Sequence, residues 1–129
     1  MNTAFERPYR PVDLNTSLIK SFPLISMSEQ LMSEDAFAKS GRTALTLARG
    51  DDMTVVLTVI RAGTVIHEHQ APGPATVVVL SGSIVFSTSN EKITLEHGSA
   101  VSFSADVLHS VEASTDSAFL IVIGGREDT

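Results

Sequence analysis

Cysteine is absent from the 129-residue chain. Disulfides, iron–sulfur clusters, thiolate zinc sites and a cysteine nucleophile are therefore excluded, and any ligand chemistry must rest on histidines and carboxylates. Tryptophan is also missing and there is a single tyrosine, which leaves few flat faces for stacking bases or sugars. Basic residues are scarce: nine Lys and Arg against fifteen Asp and Glu give a formal net charge of −6. Nucleic acids and anionic membrane surfaces recruit clustered positive charge, so neither is expected as a partner. Long apolar runs are lacking too. The longest, Ala118–Ile123, is six residues, against about 20 for a membrane-spanning helix. The opening stretch MNTAFERPYRPVDL carries charges and prolines where a secretory leader needs an unbroken apolar core. A soluble, cytoplasmic protein is expected.

What is present suits one globular domain, with 43% hydrophobic and 19% charged residues, a balance that argues against wholesale disorder. Two textures divide it. Residues 1–41 are irregular, and Pro8 and Pro11 suggest an extended arm because proline removes a donor and biases its predecessor away from helix. A short surface helix is expected over Met27–Lys39, with Ser26 and Glu29 as a capping box, a thin stripe of Met27, Leu31 and Ala38, and Gly41 as the stop. These residues belong to the same domain as a barrel over residues 42–125. There, β-rich runs recur at Ala44–Ala48, Thr54–Ile60, Val65–His69, Thr76–Leu80, Ser83–Thr88, Lys92–Leu95, Ala100–Phe103, His109–Glu112 and Ala118–Ile123. Turn residues such as Ala62-Gly63, Ser81-Gly82 and His97-Gly98 separate them. Many short strands with no crossover helices between them predict an all-β sandwich or barrel. Val77, Val79, Leu80, Ile84, Phe86, Val101, Phe103, Phe119 and Ile121 are the expected core or cavity lining.

The chemistry concentrates in four histidines. His67 and His69 alternate along a strand, so both imidazoles are expected on one face with Val65, while Ile66, Glu68 and Gln70 face the other way. Neutral imidazoles converging from one strand begin a metal site, and a third ligand from another strand would complete it. His97, in a Glu-His-Gly turn, reads as solvent-exposed. The Ala71-Pro-Gly-Pro74 loop reads as a stiff connection or a cavity rim. Arg42, Arg49 and Arg61 read as strand-end charges, one of which could anchor an anion.

With these residues in view, the chain resembles the cupin superfamily, and within it the small bacterial single-domain, RmlC-like cupins. Gly63, His67, His69 and Gly82 match the first cupin motif; Gly98 and His109 match the second. The phrases Val-Leu-Ser-Gly-Ser and His-Ser-Val-Glu-Ala are typical of such proteins, and the resemblance spans roughly residues 43–123. It implies a double-stranded β-helix, or jelly-roll barrel, with a short N-terminal helix. It also implies a site in which His67, His69 and His109 hold one divalent transition metal: Fe, Ni, Mn or Zn. Homodimers are common among small cupins, and the resemblance makes residues 7–14 an arm added to a neighbour's sheet.

Departures from the motifs are specific. Ala75 stands where the family's metal-binding glutamate belongs, Ser104 and Asp106 replace a proline and a glycine, and three residues rather than five separate Gly63 from His67. Without a carboxylate, three imidazoles leave the ion's charge uncompensated, which lowers affinity and opens the centre to anionic ligands. Some cupin-type non-haem iron dioxygenases acting on thiols or diketones share that pattern, so one expectation is a metal-dependent, dioxygenase-like enzyme on a small organic substrate. The alternative is a cupin that binds or senses a small ligand, with or without metal. Metal-free isomerase chemistry with one histidine as base is a weaker third reading, because no partner acid is evident.

Overall fold

A computed structural model describes residues 9–125. Ten strands and two helices follow one another as β1 (Val12–Asp13), α1 (Leu24–Met32), α2 (Asp35–Ser40), β2 (Arg42–Arg49), β3 (Met53–Ile60), β4 (Val65–His69), β5 (Ala75–Ser81), β6 (Ser83–Ser87), β7 (Lys92–Glu96), β8 (Ala100–Phe103), β9 (His109–Ala113) and β10 (Ser117–Gly124). All nine β-rich runs of the sequence form strands. They build two sheets, one ordered β1-β2-β3-β10-β5-β8 and the other β4-β9-β6-β7. Consecutive strands repeatedly change sheet, as a jelly roll requires. The expected all-β barrel with a small helical addition is therefore borne out. Among the described residues, no helix is long and apolar enough to cross a membrane.

Alternation along the strands sorts the larger sheet's side chains into two apolar layers. Ile60, Val77, Val79 and Phe119 face the barrel interior and pack with Ile84, Phe86, Leu95 and Val111 of the second sheet. Leu45, Leu47, Leu57, Val59 and Ala118 face the other way and pack against Met27, Leu31 and Phe37 of the helices. Leu80, expected with the barrel lining, belongs to this helix-facing layer. At the β5–β6 turn the chain passes between sheets through Gly82 at φ 81, where an added Cβ would meet Ser117 and the Asp116 carbonyl. Only glycine fits there without strain.

The helical region differs from expectation. Helix α1 begins earlier, after Pro23, whose carbonyl accepts the Met27 N–H at 2.9 Å. The Ser26 hydroxyl donates back to that same carbonyl, so Ser26 lies inside the first turn and the N-cap position falls to Pro23. At the other end Ser33 donates through its hydroxyl to the Gln30 carbonyl at 2.7 Å, closing the helix there. A second helix then starts at Asp35, which turns Phe37 rather than Ala38 into the core. Gly41 is the expected stop: it is left-handed at φ 83 and its N–H reaches the Phe37 carbonyl.

Of the proposed arm, Arg7 and Pro8 lie outside the described residues. Val12 and Asp13 pair in parallel with Ala48 and Arg49 of β2 in their own chain.

Candidate ligand-binding site

The site is set by an irregularity in β4. Val65 pairs with Glu112 and Ile66 with Val111, but the next pair is His69 with His109. Three steps along β4 thus match two along β9, which is a β-bulge. One extra residue reverses the alternation beyond it. Ile66 and His69 consequently line the same cavity, together with Val111 and His109 of β9. This corrects the expectation that Val65, His67 and His69 share a face opposite Ile66. Val65 is exposed, His67 is exposed, and His67 is not among the residues lining the cavity.

The structure brings His69 and His109 together, with ring centroids 4.2 Å apart and planes inclined by 56°. Each ring is held by a carbonyl two residues earlier: His69 Nδ1 lies 2.9 Å from the His67 oxygen, and His109 Nδ1 lies 3.0 Å from the Val107 oxygen. A carbonyl only accepts, so each hydrogen bond places a proton on Nδ1 of its ring. In the neutral form of each ring Nε2 is then the unprotonated nitrogen, an acceptor or a ligand. His109 is 4% exposed. Its ring stacks on Phe86 (5.1 Å between centroids, 13° between planes) and touches Phe103 at 4.6 Å. Burial pushes its pKa below the usual histidine value, with a smaller push from the charge of His69, while the Val107 hydrogen bond opposes both. At neutral pH His109 is therefore an uncharged imidazole.

The two rings border a cavity of about 120 Å³ whose other walls are mostly apolar, with Ile66, Val77, Phe119 and Ile121 among them. Ala75 is part of that wall, so the residue standing in for the family's glutamate presents a methyl group to the cavity. Ala71 and Pro72 also line it, which makes their loop a rim. Gln70 is a cavity residue that strand alternation assigned to the other face; its side-chain amide donates to the Asp106 carbonyl at 3.0 Å. Gln70 follows the last residue of β4, where strand alternation no longer governs its direction. Glu68 lines a separate outer groove of about 610 Å³, beside Asp106 and Leu108. His97 is exposed in its turn, as read from the sequence.

Tested against a metal ion, the donor set is two imidazole nitrogens. Among the described residues, no group of three or more His, Cys, Asp and Glu side chains is arranged to hold a metal. The third imidazole expected, that of His67, is exposed and is not among the cavity-lining residues.

Two packed sheets exchanging consecutive strands, around a histidine-bearing cavity, define a jelly-roll barrel of the cupin kind. The cupin-domain family model matches residues 56–124, more than half of the chain, and the chain belongs to that family. No curated protein matches it. Among solved structures, a conserved protein of unknown function from Streptococcus pyogenes is 21% identical, with a TM-score of 0.69 over 94% of this chain and 99% of that one. An RmlC-like cupin from Desulfovibrio desulfuricans is 21% identical, with a TM-score of 0.68 over 83% and 97% of the two chains. KdgF from Halomonas sp. is 23% identical, with a TM-score of 0.65 over 68% and 82%. At these identities the likeness is one of fold.

Proposed function

We propose that this cupin is a small-molecule-binding barrel whose recognition element is the His69–His109 pair. The carrying observation is that both rings are anchored through Nδ1, leaving two Nε2 acceptors beside an otherwise largely apolar cavity. Apolar walls with few placed polar groups are the usual make-up of a ligand site. Unprotonated Nε2 atoms select a hydroxyl, enol or amine hydrogen over a bare anion. A ligand-observed NMR screen of small alcohols and enolic acids tests this, using the native chain and His69→Phe. Saturation transfer in the native chain that is lost in the variant supports the reading; transfer that survives the variant removes the pair from the site.

A second reading, a divalent Fe, Ni, Mn or Zn ion, draws support from the same free Nε2 atoms, since an imidazole anchored through Nδ1 is the form that binds metals. His69 and His109 would hold the ion, which would supply Lewis acidity. The dioxygenase-like version requires more, because its third ligand, His67, would have to join them from a different place in the β4 bulge. Titration with Zn²⁺ separates the readings. Uptake of one equivalent, lost in His109→Phe, supports the metal; no uptake leaves the metal-free barrel.

A further inference from the structure

The cavity does not end at the histidines. Thr58, Ile66, Ile121 and Ile123 line it and also line an open vestibule of about 580 Å³ beside β2. Four shared side chains make these two spaces adjoining compartments with a common, largely apolar waist. The vestibule adds Arg42 at the start of β2. Leu45 and Leu47 face the helices, so alternation puts Arg42 and Ala44 on the barrel-facing side of the strand. Among the described residues lining either compartment there is no Asp or Glu, and Arg42 is the one such side chain with a permanent charge. A ligand that spans both compartments would thus meet a cationic fork at one end, an apolar middle and two imidazole acceptors at the other.

We propose that the ligand is an amphipathic hydroxy acid. Its carboxylate sits at Arg42, a short aliphatic body crosses the waist, and its hydroxyl donates to Nε2 of His69 or His109. A planar guanidinium pairs with a carboxylate through two parallel hydrogen bonds. It repels an ammonium in the same place. Because Arg42 is exposed, water and salt screen the pair and its effect on affinity is modest. The inference rests on the small-ligand reading above and adds the chemistry and orientation of the ligand.

The test is isothermal titration of the full chain with the ω-hydroxy acids of butane, hexane and octane, each compared with its α,ω-diol. At least one acid should bind about three- to fivefold tighter than its diol, the gain of one screened charge-assisted contact. Arg42→Gln, a change at an exposed position, should remove the preference, so that acid and diol bind within about twofold of each other. His69→Phe should weaken acid and diol alike. Equal binding of every acid and its diol by the native chain, or a preference that survives Arg42→Gln, overturns this proposal alone. Failure of every acid and every diol to bind overturns it together with the small-ligand reading.

Discussion

His109 is the residue in which the barrel's packing and its chemistry meet. Its ring is clamped between Phe86, Phe103 and His69, and the same burial that makes it a core residue disfavours its charged form. The unfolded chain takes up that proton near the ordinary histidine value of about 6.5, whereas the folded chain resists it to lower pH. Below about pH 6.5 the unfolded state therefore binds more protons, and stability is lost as pH falls towards the folded value. Urea midpoints measured between pH 7.5 and pH 5 should fall for the native chain. His109→Phe keeps an aromatic ring in the stack and should remove this histidine's share of the slope; an unchanged slope would show that His109 titrates normally. The neighbouring Ala75 was legible before the fold was known, as a methyl where the family carries a carboxylate, and it does line the cavity.

At the scale of elements, β4 decides which histidines act together. Its bulge between Ile66 and His69 carries His69 to the cavity and leaves His67 out. His67→Ala should therefore leave ligand affinity within about twofold, while His69→Ala should weaken it about fivefold by removing one acceptor of the pair. Calorimetry on the two variants reads the difference directly, and equal losses would mean that the parity assigned to the strand is wrong. Strand positions were readable because β-branched runs end at glycine, proline and polar turn residues such as Ser81-Gly82 and His97-Gly98. The bulge was not. An extra residue in a five-residue strand leaves the run of residue types unchanged, and only the partner strand's register exposes it. A similar limit applies to the helices. Ser26 and Glu29 have the spacing of a capping box, yet Pro23 starts the helix a turn sooner and Ser33 divides it from Asp35 onward.

Across the whole molecule, one sheet serves two apolar layers, with the site on one face and the helices on the other. Damage to the helical layer should lower stability without reaching the ligand. Leu31 is fully buried there, and Leu31→Ala should cost about 3 kcal/mol by the usual measure of a leucine-sized cavity. Urea denaturation gives the loss, and ligand affinity at low urea should match that of the native chain; a parallel loss of affinity would show that the two layers are coupled. The barrel's open strand edges bear on a different property, its resistance to joining other molecules edge to edge. Strand β4 is kinked by its bulge, β7 carries Lys92 and Glu96 at its ends, β8 has four residues, and β1 lies over the Ala48–Arg49 end of β2. Each is a recognised obstacle to amyloid-like strand addition. At β1, β4 and β8 the guard against fibril growth is local geometry, and there it persists at acidities where the carboxylates no longer repel one another.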